Sequence, residues 1–203
     1  MLNSNRKVTM TESQKQKNIV IISGPSGVGK STICKQVVEK LNAFLSVSST
    51  TRSQSETEQQ GHEYNFLPRA EFEDMIANDA FLEYAEVFGN YYGTPKGPVD
   101  EALAVGRIVI LEIDVQGALR VKKIRPEAQT IFILPPHKKD LRERIDGRGR
   151  GEDEETKKRR LETASREIAA AWQHYDHMVI NDDLGQAIQE VTEIIDANLK
   201  ETI

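Results

Sequence analysis

Cysteine is almost missing from this chain. Cys34 stands alone, so no intrachain disulfide can form and a reducing compartment fits. Its place in a helix-compatible segment reads as a small core residue rather than a reactive thiol. Long hydrophobic runs are also missing. No stretch approaches the roughly 20 apolar residues of a membrane span, and the opening MLNSNRK lacks the apolar segment of a signal peptide. There is no basic excess either: the net charge is −5, which implies no general affinity for nucleic acid. The four histidines, His62, His137, His174 and His177, have no metal-ligand spacing and read as structural or surface residues. Internal repeats and Pro-rich linkers are lacking. These absences predict a soluble, cytoplasmic protein with no membrane or nucleic-acid partner, and they leave its oligomeric state open.

What is present reads as one α/β domain of 203 residues, long enough to bury a sizeable core. Residues 1–17 are polar and are expected to form a flexible extension. Apolar runs at Asn18–Ser23 (NIVIIS), Arg107–Asp114 (RIVILEID) and Gln129–Leu134 (QTIFIL) have the character of buried parallel strands. Ala43–Thr51 is read as one further strand, and His177–Asn181 as a short last one. Helical spacing marks Arg69–Asn78, Pro98–Ala104, Leu141–Ile145, Glu152–Trp172 and Leu184–Leu199. Trp172, in an Ala-rich helix, is expected in the core. Strands alternating with helices imply a parallel sheet covered on both faces. From His62 to Gly93 the pattern changes to short alternating segments, with Tyr84, Tyr91 and Tyr92 crowded together and Tyr64 just before them. Such a density of hydroxyl-tipped aromatics suggests a ligand-facing insertion, the bland alternative being a satellite core.

The chemistry is organised by Gly24-Pro25-Ser26-Gly27-Val28-Gly29-Lys30-Ser31-Thr32. A strand, a Gly-rich turn and a helix start follow one another in the order a phosphate loop requires. Glycines let backbone N–H groups converge on phosphate oxygens, and the helix N-terminus adds partial positive charge. Lys30 would reach the β- and γ-phosphates, and the Ser31 hydroxyl would complete a Mg²⁺ shell. Glu112 and Asp114 alternate with Ile113 and are expected on one face of their strand, where one carboxylate could hold Mg²⁺ through water. The Gly147–Gly151 segment (GRGRG) followed by Lys157–Arg160 (KKRR) concentrates six cations. A mobile arginine-bearing flap would exclude water and neutralise phosphoryl oxygens. The competing reading is a basic helix face paired with Glu152, Asp153, Glu154 and Glu155.

These residues resemble the guanylate kinases over roughly residues 18–200. The resemblance rests on Ser23–Thr32, Ser46–Arg52 (SVSSTTR), Gly89–Thr94 (GNYYGT), Ile110–Gly117 (ILEIDVQG), Val179–Asp183 (VINDD) and the Gly-Arg-Gly segment. It implies a parallel-sheet P-loop kinase core (18–48, 98–146 and 161–203) and a small mixed α+β nucleoside-monophosphate insertion (49–97). An Arg-rich lid (147–160) completes the implied layout. It also implies ATP as phosphoryl donor, Mg²⁺, and GMP with dGMP as acceptors. Position by position, Arg52, Tyr64 and Tyr92 would bind the GMP phosphate, and Ser48, Glu83, Thr94 and Asp114 would read the guanine. Lys30, Arg148 and Arg160 would stabilise the phosphoryl group in flight, with Arg150 and Arg159 as lesser candidates.

The chain departs from the family pattern in places. Thr94 stands where Ser is usual and Glu112 where Asp is usual, both keeping the chemistry. The larger departure follows Arg52, where the family usually continues Pro-Arg and this chain has Gln54-Ser55, with Thr57 at the usual Gly. One charge-assisted phosphate contact is therefore missing, unless Arg69 or a lid arginine replaces it. Two other readings stay open at this level. One is a P-loop kinase for another small phosphorylated acceptor; the other is a non-catalytic scaffold-type module, which would typically have lost Lys30, Ser31 and Arg148.

Overall fold

Apolar strands alternating with helices already imply a sheet with two covered faces, and the computed structural model of the chain has them. The structure describes residue 11 and residues 18–87, 89–137 and 154–200, with the side chains of 154, 156, 157 and 160 excepted. Five strands form a wholly parallel sheet: β1 (Ile19–Ser23), β2 (Phe44–Ser46), β7 (Val109–Glu112), β8 (Gln129–Leu134) and β9 (His177–Ile180). Their spatial order is β2-β7-β1-β8-β9, so the strand leading into the glycine-rich loop lies at the centre. Ile19 and Ile21 of β1 face one layer with Val109, Leu111, Val99 and Val121. Val20 and Ile22 face the other, with Ile33, Val37, Ile188 and Val191. Successive side chains of a strand point to opposite faces, so one apolar run supplies both cores. Helix α1 (Lys30–Leu41) and α6 (Leu184–Lys200) cover the second face. Helices α3 (Lys96–Ala104) and α4 (Val115–Ile124) cover the first.

A second sheet is built from β3 (Ser49–Thr50), β4 (Asn65–Phe66), β5 (Phe81–Val87) and β6 (Asn90–Pro95), in the order β4-β3-β6-β5. Its pairing is mixed: β3 runs parallel to β4 and antiparallel to β6. Helix α2 (Arg69–Ala77) closes it with Phe72, fully buried, stacked on Phe81 and Tyr91 at ring-centre distances of 4.3 and 5.3 Å. Gly93 is needed here, since a Cβ would lie 2.9 Å from the Phe81 ring and 3.0 Å from that of Phe72. Of the clustered tyrosines, Tyr91 thus serves the small core and Tyr84 is exposed, while Tyr64 and Tyr92 turn towards the site described below.

Several sequence expectations are corrected. Ala43–Thr51 is two strands in two sheets, because only Val47 and Ser48 separate the end of β2 from the start of β3. Strand β7 ends at Glu112, so Asp114 does not share its face. Asp114 is instead the N-cap of α4, accepting a hydrogen bond from Gly117 N at 2.8 Å. Helix α3 begins two residues earlier than Pro98. Trp172 is 65 % exposed rather than core. Helix α5 (Glu154–His174) buries Ala164 and Ala171 and packs Ile168 against the cluster that holds Phe132 and Val115, and Trp172 lies one residue, about 100°, past that stripe. Cys34 is buried, as expected for a small core residue. The expected Leu141–Ile145 helix, Arg148 and Arg150 lie outside the described residues.

Candidate active site

The loop after β1 is shaped by positive φ at Gly24, Gly27 and Gly29 (154°, 87° and 97°). At Gly24 a Cβ would sit 2.5 Å from the Ile133 carbonyl oxygen of the neighbouring strand, so no larger residue fits. Asn181, just beyond β9, donates from Nδ2 to the Val28 carbonyl at 2.7 Å and is buried, clasping the loop from below. Lys30 folds back over the loop, donating to the carbonyls of Gly24 and Pro25. The Ser31 hydroxyl donates to Glu112 Oε1 at 2.7 Å, joining the helix start to the end of the adjacent strand. Ser23 is tied to the Ile113 carbonyl at 2.7 Å, fixing β1 against the same crossing.

Facing the loop is a cavity of about 680 Å³. Ser26, Ser31, Lys35 and Glu112 line its core side, and Arg52, Glu58, Tyr64 and Tyr92 its second-sheet side, with Val47 and Ser48 between them. Tyr64 and Tyr92 meet edge to face at 5.8 Å. Burial and the neighbouring Tyr92 push the Tyr64 hydroxyl up to about 12, so it is a donor throughout the neutral range. Arg52 lies over the Tyr64 and Phe66 rings, 5.5 Å from each ring centre.

Glu83 and Thr94, both buried, and the half-buried Asp114 form a second group outside the cavity lining. Thr94 donates to Glu83 Oε1 at 2.8 Å, and Glu83 is 8 % exposed. Helix α4 packs its first turn on β5 so closely that a Cβ on Gly117 would lie 2.9 Å from Glu83 Oε2. Desolvation raises the Glu83 carboxyl to about 7; the Thr94 hydrogen bond opposes this and nearby Asp114 reinforces it. Glu167, on α5, is likewise raised to about 7 by burial, with Lys30 opposing and Asp114 adding.

Sequence reasoning missed several of these residues. Glu58 sits in what reads as a plain polar loop, although Ser55-x-x-Glu58 has the spacing at which a carboxylate reaches back to a backbone N–H. His62 is exposed, as expected of a surface residue, and also lines the cavity. Nothing local marks Glu167, because its partners come from other elements. Arg69 is no substitute for the missing arginine. It lies 4.4 Å from the Tyr91 ring centre and pairs with Glu73 on its own helix. Arg159 lines the cavity and also pairs with Glu155 one turn away, as the basic-helix reading expected.

The guanylate kinase family profile matches residues 16–198. The chain belongs to the guanylate kinase family. It is 49 % identical over 181 residues to the guanylate kinase of Carboxydothermus hydrogenoformans, covering 88 % of this chain and 87 % of that one. It is 46 % identical to the guanylate kinase of Synechocystis, covering 87 % and 92 %. A crystal structure of guanylate kinase from Anaplasma phagocytophilum superposes with a TM-score of 0.74 at 32 % identity, over 89 % of this chain and 85 % of that one. Membership makes the chain an enzyme of the ATP:GMP phosphotransferase class with a P-loop kinase fold. Among the described residues, no helix is long and apolar enough to cross a membrane.

Proposed function

We propose that this protein transfers the γ-phosphoryl group of ATP to GMP across the cavity between the glycine-rich loop and the second sheet. The observation that carries this is the lining itself, with Ser26 and Ser31 on one wall and Arg52, Tyr64 and Tyr92 on the other. Donor phosphates would take the backbone N–H groups of Gly24–Thr32, and Lys30 would exchange its two loop carbonyls for phosphate oxygens. The acceptor phosphate would take Arg52 and the two tyrosine hydroxyls. Its oxygen is already ionised near neutrality, so transfer needs no general base; positioning and charge neutralisation suffice.

Guanine would be read by Glu83, with Ser48, Thr94 and Asp114 around it. Guanine presents N1–H and a 2-amino group as adjacent donors, and an ionised carboxylate accepts both. Adenine offers neither and would leave a buried carboxylate unpaired. Arg148 and Arg160 are assigned to the transferring group on the family resemblance, with a lid over 147–160 and the insertion at 49–97. Ser31 and Glu112 are hard oxygen donors already 2.7 Å apart and suit Mg²⁺. When bound, the ion would neutralise charge on the β- and γ-phosphate oxygens. Acceptance of dGMP, a cytoplasmic setting and independence of nucleic acid complete the reading, the last supported by the net charge of −5.

A coupled ADP-release assay over GMP, dGMP, AMP, CMP and UMP tests it. GMP is expected to exceed AMP in kcat/KM by about a hundredfold or more; equal turnover of AMP would refute the Glu83 assignment. Ser55→Arg restores the arginine that relatives usually carry. It should lower KM for GMP about tenfold, the worth of one charge-assisted contact, and an unchanged KM removes the idea that the missing arginine weakens binding.

A further inference from the structure

The loop from Arg52 to Gly61 is polar, yet two of its side chains, Arg52 and Ser55, converge on one carboxylate. Glu58 Oε2 accepts from Arg52 Nη1 at 3.0 Å, from Ser55 N at 3.0 Å and from Ser55 Oγ at 2.8 Å. Its Oε1 accepts from Arg52 Nη2 at 2.7 Å. The remaining Nη1 proton goes to the Ser53 carbonyl at 2.8 Å, and the Tyr64 and Phe66 rings lie along the guanidinium. Arg52 is thus gripped along its Nη1–Nη2 edge. The Nε–Nη2 edge lies outside that grip, and it is the other pair of parallel donors that fits two phosphate oxygens. Tyr92, also assigned to the acceptor phosphate, is close enough for its hydroxyl to add to the raised pKa of Arg52, behind the larger effect of Glu58.

We propose that Glu58, anchored by Ser55, is a positioning residue that fixes the guanidinium of Arg52 so that its Nε–Nη2 edge, beside the Tyr92 hydroxyl, meets the acceptor phosphate. The proposal rests on the reading of Arg52 as a phosphate ligand. A carboxylate in a phosphate site could instead be a stand-in that the substrate displaces. Displacement would break four hydrogen bonds at once, two of them to Arg52, and would strip the Ser55 N–H of its partner. The arrangement also bears on the chain's main departure from its family. Where relatives usually place a second arginine, Ser55 offers no charge, and the Arg52–Glu58 pair sums to zero. What the seat lacks in charge it makes up in a prearranged fork.

The test is kinetic and spectroscopic. Glu58→Ala should raise KM for GMP by about tenfold to a hundredfold, the scale of misplacing a binding group by an ångström, with KM for ATP changed less than about twofold. Glu58→Gln, which keeps shape and loses charge, should give a smaller rise in the same direction. Ser55→Ala, in an exposed stretch and a safe choice if the Glu58 variants fold poorly, should raise it about threefold. In the nucleotide-free protein, the Arg52 guanidinium ¹⁵N signals should show slow Nη rotation in the wild type and fast rotation in Glu58→Ala. An unchanged or lowered KM for GMP in Glu58→Gln, or slow rotation retained in Glu58→Ala, overturns the positioning role. Wild-type protein inactive on GMP would instead overturn the underlying reading of Arg52, so the two failures are separable.

Discussion

Lys30→Ala is expected to lower kcat for GMP phosphorylation about a thousandfold or more while leaving the fold intact. Removing one preorganised donor from a transition-state oxygen typically costs about a hundredfold to a thousandfold, and here the donor also carries the charge. Structure is spared because the bonds from Lys30 to the carbonyls of Gly24 and Pro25 close a loop already clasped by Asn181. Single-turnover kinetics with ATP and GMP, beside a thermal melt, would check both halves. Transfer within tenfold of wild type removes Lys30 from the reaction.

Glu83→Gln should lower kcat/KM for GMP by about a hundredfold to a thousandfold, since the new amide sets a donor against a guanine donor. AMP should suffer far less, so the ratio of the two collapses. The variant should also alter two pH profiles. Below about 7 the wild-type carboxyl is protonated and cannot accept both guanine protons, so KM for GMP should fall as pH rises from 6 to 8, and should be flat in the variant. The stability contribution has the opposite sign. A folded-state pKa of about 7 against an ordinary 4.5 means that the folded protein holds this proton more tightly than the unfolded chain. That stabilisation is fully present below about 4.5 and is lost as pH rises through about 7. Denaturant titrations at pH 5 and pH 8 should therefore show Glu83→Gln gaining on the wild type at the higher pH. A variant that loses ground instead would show that Glu83 is ionised and well paired without substrate.

Much of this was legible in the residues. The apolar runs of β1, β7 and β8 announce themselves because a strand buried on both faces needs no alternation. The glycine-rich loop is legible because a backbone that must approach phosphate excludes Cβ. What escaped depends on where the chain turns in space. Ser46 to Thr50 keeps strand chemistry across a change of sheet, so composition shows no break there. Asp114 looks like strand until its side chain is found capping α4. Trp172 shares a helix with buried alanines and differs from them only by rotation about its axis. Glu58 and Arg52 are both hydrophilic in a hydrophilic loop, and the sequence cannot say that they neutralise one another.

The two connections between the sheets carry a further consequence. Only Val47 and Ser48 lie between β2 and β3, and β6 passes into α3 at Pro95–Lys96 with no intervening residue. An extended residue spans about 3.5 Å, which is the separation at which reacting atoms must meet. On the proposed reading, the connectors would act as a ruler between donor and acceptor, graduated in single residues. Adding one glycine after Val47 would lengthen that ruler by a full bond-forming distance, and would shift Ser48 in the cavity wall with it.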